Sequence, residues 1–550
     1  MAVSGDEAYG VVTLDSLIIS LPTLTRAGWN ALYKKYGKDG VIEFESLSWA
    51  RMRQKDREHL LSEQHELDHY ALLTSTPAGA LLWRIHQIIV RDVIWLARTF
   101  DERGIPIRGS DVDQQGLTHW LRTVGLERFR EAVSKCATKA DIETSAMPAY
   151  LAAEVIPGLE NVLRLFDVLT CEDPATAYPQ LTSGELAALL ESTFGYMARR
   201  SEIELVANDW RARWVSRTPD ELVFPNKSSF NLRTLLELLA YTHERQQAKL
   251  MGAEEADLDR HLERTVPASL QEPLAIWLES AGGDESVLRQ VFVEGLLGRI
   301  DLATVGDFHW DRNGTGDPLH DAVYRQMREA DAAESDGRQI LFVENEWPFF
   351  RCDRLRKAGM RTEVQLRLIV TLGTAALRDR LYGPGARWET APDEAVGTFL
   401  LYEDHLKSTD HALRDGMRLR YESLMSFIDG RYAPATKSDY TKSILLFDAL
   451  DQVHAHSGEG LGVREAVSAV FFGMLNQTIF SVAAGGVDID SIEGRLSSVG
   501  TKVANSVAKT AQAVDPGVKR SPAVTQMKKS VRQLFQLDFL ERLTRIRFRE

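Results

Sequence analysis

The stretch Ser62-Glu63-Gln64-His65-Glu66-Leu67-Asp68-His69-Tyr70 stands out in the 550-residue chain for the chemistry its side chains could do. On a helix His65 and His69 are one turn apart, so their imidazoles leave the same face and can grip one metal ion. A turn of about 100° per residue puts Leu61, Leu72 and Leu73 on that face too, so the histidines belong to an apolar stripe suited to burial. Glu66 falls at the edge of the stripe, where its carboxylate can reach a water on such an ion. Zinc lowers the pKa of a bound water towards about 7, and a general-base carboxylate beside it then makes a hydroxide-like nucleophile.

The elements that must position these groups read as mostly α, with a small N-terminal β element. Residues 11–21 and 41–47 are the best strand candidates, short and partly alternating, with turn punctuation between Gly37 and Gly40. From about Arg51 the pattern is helical almost to the end. The periodicity predicts helices over Leu81–Thr99, Ser183–Arg199, Leu232–Leu250, Ser286–Arg299, Glu363–Leu381, Lys442–Val453 and Ser530–Ile546. The turn-rich Trp310–Asp317 separates two halves, which gives an expected catalytic domain over 1–304 and a helical C-terminal domain over 318–500. Residues 501–550 form a helical tail with 11 Lys/Arg against 4 Asp/Glu, a surplus of +7 on a chain of net charge −14. Such a tail can dock on its own acidic body or act as an arm for an acidic partner.

His65, Glu66 and His69 spell the His-Glu-x-x-His helix of zincin metallopeptidases, and this segment resembles it. The Ser75–Gly79 turn that follows is similar to that of uncharacterised bacterial zincin-like proteins. The likeness spans some 15–25 residues and leaves the rest of the chain uncovered. It implies a zincin-like helical core, a Zn²⁺ cofactor, a protein or peptide substrate, and Glu66 as the base. Asp68 departs from the pattern, which usually avoids charge there. It either orients an imidazole or marks an ordinary amphipathic helix.

Catalytic zinc usually has three protein ligands, and no third histidine follows at short spacing, since His86 is seventeen residues on. A gluzincin-type arrangement would take a Glu from a later helix. Glu237, in Glu237-Leu-Leu-Ala240, resembles a gluzincin third ligand and is preferred. Glu191, on a helix whose glutamate face also carries small residues, is the second choice, with Glu294 behind it. Tyr241 lies one turn after Glu237 and could donate to an oxyanion, whereas His243 points away from that face.

Other features narrow the field. The acidic balance argues against nucleic-acid binding by the surface as a whole. The apolar stretch Ala466–Ala484 is broken by Asn476, Gln477 and Thr478, so no membrane insertion is expected. Three cysteines, Cys136, Cys171 and Cys352, are too few and too scattered for a disulfide framework, which fits a reducing, cytoplasmic setting. The leading expectation is a zinc-dependent metallopeptidase. One alternative is a helical scaffold or regulatory protein with a structural or vestigial metal site. Another is a di-iron bundle built on Glu66-Leu-Asp-His69, which lacks the second Glu-x-x-His that such bundles require.

Overall fold

A helix that must bury charged side chains needs partners on every side, and the fold is organised around one. The computed structural model describes residues 11–13, 18–38, 42–75, 77–105, 107, 116–135, 146–201, 222–224, 231–280, 444–447, 452–456, 480 and 483. Within these residues the protein is mostly helical, with one four-stranded antiparallel sheet. Strands β1 (Val11–Thr13) and β2 (Ile18–Thr25) lead into helix α1 (Arg26–Tyr36). Two single-turn 3-10 helices, Phe44–Ser46 and Trp49–Arg51, then deliver the chain to α2 (Gln54–Ser75).

Helix α3 (Pro77–Glu102) follows after a single residue. Gly79 makes that abrupt reversal possible, because a Cβ there would lie 2.3 Å from the Leu73 carbonyl oxygen. Helix α4 runs through Gly116–Trp120, a π-helical turn at Leu121–Gly125, and Leu126–Ser134. Helix α5 has the same composite form, with a π turn at Leu151–Val155 before its main body, Ile156–Thr170. After a single helical turn at Pro174–Ala177, the remaining helices among the described residues are α6 (Ser183–Ser201), α7 (Leu232–Leu250), α8 (Glu255–Thr265) and α9 (Ala268–Ser280). Strands β3 (Ile444–Phe447) and β4 (Gln452–His456) complete the sheet in the order β1-β2-β4-β3.

Local chemistry starts each of the helices that matter here. Thr25 caps α1 by accepting the Gly28 N–H at 3.2 Å. Thr182 and Glu185 form a reciprocal capping box ahead of α6: Glu185 N–H donates to Thr182 Oγ1, and Thr182 N–H donates to Glu185 Oε2. Asn231 does two jobs at α7. Its Oδ1 accepts the Thr234 N–H at 3.0 Å, while its Nδ2 donates to the Val168 and Cys171 carbonyls at the end of α5. The start of α7 is therefore fixed to the end of α5.

Helices α2 and α7 form the middle of the molecule and pack on each other, with α3 and the sheet against other sides of α2. Most of α2 between Glu58 and Leu73 is buried, although its sequence is rich in Glu, His and Asp. At its N-terminal end Asp56 accepts hydrogen bonds from Arg53, Tyr36 and Lys35, which ties α1 to α2. One turn before the histidines' midpoint, Glu63 accepts from Tyr33 Oη at 2.9 Å and Trp29 Nε1 at 3.5 Å.

The strand expected within 11–21 is present as β1 and β2, and the helix expected over Leu232–Leu250 has those bounds. Two expectations are corrected. Residues 41–47 contain a 3-10 turn at Phe44–Ser46 instead of a strand, with Phe44 buried in the core. Within Lys442–Val453, expected helical, Ile444–Phe447 and Gln452–His456 are strands, and β4 pairs with β2 through Ser20 opposite His454. Apolar runs this short satisfy either periodicity, so pairing with β2 decides the outcome. The sheet thus takes strands from both sides of the boundary expected between 304 and 318. The helices expected at 286–299, 363–381 and 530–546, Cys136, Cys352, Glu294 and the basic tail over 501–550 lie outside the described residues.

Two outcomes test this packing. A Cβ at Gly158 of α5 would lie 2.1 Å from the ring of Tyr196, whose hydroxyl donates to the buried Asp92 of α3 at 2.7 Å. Gly158→Ala is expected to cost about 1–3 kcal/mol in urea unfolding, and an unchanged midpoint would refute the close approach. Burial pushes the Glu63 carboxyl up to about 7 against the pull of Tyr33 and Trp29. A carboxyl raised in the folded state favours folding below its unfolded pKa. That contribution, roughly 3 kcal/mol, is lost as pH climbs from ~4.5 through ~7. Glu63→Gln, which keeps the acceptor oxygen, should therefore gain stability relative to the wild type between pH 5 and pH 8. An equal difference at both values would contradict this.

Candidate metal centre

The i, i+4 spacing on α2 brings the two imidazoles together. His65 Nε2 and His69 Nε2 are 3.0 Å apart, and the rings meet edge to face at 4.6 Å between centroids. Helix α7 supplies the third group: Glu237 Oε2 lies 3.2 Å from His65 Nε2 and 3.3 Å from His69 Nε2. All three side chains are buried and together form a group able to hold a metal ion. Three donor atoms on a tetrahedron with bonds of about 2.0–2.1 Å stand about 3.3 Å apart. The observed separations of 3.0–3.3 Å match that triangle closely.

A carboxylate behind His65 fixes its orientation. His65 Nδ1 lies 3.2 Å from Glu244 Oε2, so a proton on Nδ1 is donated to Glu244, and Nε2, which faces Glu237 and His69, is the nitrogen a metal ion would take in place of a proton. Glu244 Oε1 in turn accepts from His261 Nε2 of α8 at 2.6 Å. A parallel connection flanks it: His243 Nδ1 lies 2.5 Å from Asp68 Oδ2, and Gln247 Nε2 lies 3.3 Å from His243 Nε2. An amide nitrogen only donates, so His243 Nε2 accepts from Gln247 and Nδ1 is the donor to Asp68.

The electrostatics follow from these contacts. Burial pushes the Glu237 carboxyl up, but the charge of His69 and hydrogen bonds from His65 and His69 overcome it and hold the group well below the usual range. Burial likewise acts to lower His65, yet its bonds to Glu237 and Glu244 carry it well above the ordinary imidazole value. Glu244 is raised by burial and brought down to about 2 by hydrogen bonds from His261 and His65. A proton and a metal ion thus compete for the same His65 nitrogen, so metal uptake here releases a proton.

Glu66 behaves differently. Its Oε2 is buried with no hydrogen-bond partner. Burial raises its pKa, while the nearby His69 and His65 oppose the rise. A buried carboxylate oxygen without a donor is costly. Such a group fits a role that needs an acceptor kept free.

The structure brings together His65, His69 and Glu237 as the spacing and resemblance suggested. It does not bring Glu191, which is exposed on α6 and lies outside the metal-binding group. A different face of α6 packs inward, with Leu186, Leu190, Phe194, Tyr196 and Met197 buried, and Glu191 is left on the exposed side. Tyr241 is placed beside the site, with its ring 4.4 Å from that of His65, but its hydroxyl donates to the Thr265 carbonyl at 3.4 Å. The hydroxyl is thus directed to the end of α8. Asp68 does orient an imidazole, that of His243 and not of a metal-binding histidine. His86 stacks on Phe480, and Cys171 is half-buried with its thiol pushed up to about 12 by burial.

Sequence reading missed Glu244 and His261. Glu244 follows Glu237 by two helical turns, a visible signal; His261 stands on a different helix and gave none. The chain matches no family model, no curated protein and no solved structure. What the fold and site define is a chain that is mostly helical over its described residues, with a buried two-histidine, one-carboxylate group able to hold a metal ion.

The Asp68–His243 pair yields a test of the α2–α7 packing that is independent of any metal. Asp68→Ala strips His243 Nδ1 of its acceptor and should cost about 1–3 kcal/mol in denaturant unfolding of chelator-treated protein. Asp68→Asn, which keeps an acceptor oxygen, should cost less. Equal losses for the two would show that the hydrogen bond contributes nothing.

Proposed function

We propose that the protein is a zinc-dependent hydrolase acting on peptide bonds, with His65, His69 and Glu237 as zinc ligands and Glu66 as general base. The observation that carries this reading is the unpartnered Glu66 Oε2 next to a three-donor group. Two imidazoles and one carboxylate suit zinc, and three protein donors leave the fourth position that catalytic zinc sites keep open. The resemblance of His65-Glu66-x-x-His69 to the zincin helix supports the peptidase class and a zincin-like core.

A zinc ion bound here supplies a Lewis acid that makes a water acidic enough to lose its proton near neutral pH. Glu66, with its free oxygen and raised pKa, would be the group to accept a proton from a water held there and to return it to the leaving amine. Glu244 holds His65 in the tautomer that presents Nε2, and Glu237 supplies the negative charge that balances the ion. Tyr241 forms a wall of the site through its ring.

Elemental analysis together with peptide-cleavage assays tests the assignment. Wild-type protein should carry about one zinc per chain, and the His65→Ala/His69→Ala variant none. Glu66→Gln should keep the zinc and lose at least about 100-fold in kcat. A tightly held ion with no hydrolysis that depends on Glu66 would favour the scaffold reading, in which the metal is structural. Iron in place of zinc would overturn the hydrolase reading, because two histidines and one carboxylate also form the facial triad of non-haem iron oxygenases.

A further inference from the structure

We infer that His261 is a positioning residue for the metal centre: through Glu244 it fixes the tautomer and orientation of His65. This inference rests on the metal reading above. His261 is 1 % exposed and sits on α8, a helix that contributes no donor to the metal-binding group. Its Nε2–H donates to Glu244 Oε1 at 2.6 Å, and the other oxygen, Oε2, accepts from His65 Nδ1 at 3.2 Å. The two oxygens of one carboxylate are thus divided between two imidazoles, one of which faces the metal group.

The division has a physical consequence. A neutral imidazole carries one proton, on Nδ1 or on Nε2, and only the Nδ1–H form leaves the Nε2 lone pair for a metal. Glu244 selects that form by accepting from Nδ1. The carboxylate can perform this selection only if its plane is held, since rotation about its last torsion is otherwise soft. His261 holds one oxygen and so aims the other.

His261 is itself held from the side remote from the metal. Its ring meets Trp49 edge-on, with centroids 5.7 Å apart and planes at 88°. The Arg57 guanidinium covers the Trp49 ring at 4.3 Å, and the Trp49 backbone N–H donates to the carbonyl of Met251 at 2.7 Å, immediately after α7. The packed series Trp49–His261–Glu244–His65 therefore runs from the 3-10 turn before α2, through α8 and α7, back to α2.

Two near-isosteric substitutions of His261 separate positioning from simple packing. The amide nitrogen of Gln reaches about as far as imidazole Nε2, and that of Asn only about as far as Nδ1. Full-length protein stripped with a chelator is titrated with Zn²⁺ against a chromophoric competitor, and separately with Co²⁺ by visible absorption. His261→Gln should keep zinc affinity within a few-fold of wild type and give the same cobalt spectrum. His261→Asn and Glu244→Gln should weaken binding about 10–100-fold. Urea midpoints of the metal-free Gln and Asn variants serve as the control, and these should agree. Equal zinc affinity for wild type, His261→Gln and His261→Asn overturns the inference and leaves the metal site standing. A loss of affinity in both variants that follows a parallel loss of metal-free stability also overturns it, since that is a packing effect. Failure of the wild type to bind either metal is a different result, because it removes the metal reading itself.

Discussion

The buried carboxylate of Glu237, shared between His65 and His69, is the interaction on which the rest of the described structure depends. An ionised carboxylate deep in a protein costs several kcal/mol unless charge and hydrogen bonds compensate it. Here both imidazoles supply compensation, and they can do so only if α2 and α7 stay in register. Around this pair lie further polar ties between the two helices, Glu244 to His65 and Asp68 to His243. The apolar shell made by α3, α5, α6 and the sheet keeps water out of the region and so strengthens each tie.

The polarity of α2 is therefore informative in itself. Ordinary buried helices are apolar on most faces, yet Glu58, His59, Glu63, Gln64, His65, Glu66, Asp68 and His69 are all buried on this one. Stability alone does not select such a composition, because apolar side chains of similar volume would pack at least as well. Clusters of buried ionisable groups with displaced pKa values mark functional sites. Glu63 faces Tyr33 and Trp29 of α1, whereas His65 and His69 meet α7, so the helix keeps separate structural and chemical faces.

Much of this arrangement was legible in the sequence, and the limits have physical causes. The helical spacing of His65 and His69 and the 3.6-residue pattern of Leu232–Leu250 are local signals, and both survive in the structure. Glu237 was preferred over Glu191 through the resemblance of its helix, not through any rule of spacing. No local pattern says which of two glutamates on different helices will face α2. Asp68 stands out in its own helix as a charge that could orient an imidazole, but that the imidazole is His243 is decided only by the contact between helices. The strands Ile444–Phe447 and Gln452–His456 were read as helix for the same reason. Strand β4 pairs with β2, more than 400 residues earlier in the chain, and β3 joins the sheet only through β4.

The distance along the chain between the donors has a consequence for folding. His65 and His69 are neighbours, but Glu237 is 168 residues beyond His69. Closing a flexible loop of that size costs an unfolded chain about 4–5 kcal/mol in configurational entropy. Of these three donors, the unfolded chain therefore keeps only the two imidazoles close together, and only the folded chain adds the Glu237 carboxylate. Any ion the three groups hold distinguishes native from non-native chains and acts as a removable cross-link between distant parts of one polypeptide. Metal supply and native population are then coupled by mass action, and a cell short of the ion would hold less of the folded protein as well as less of its loaded form.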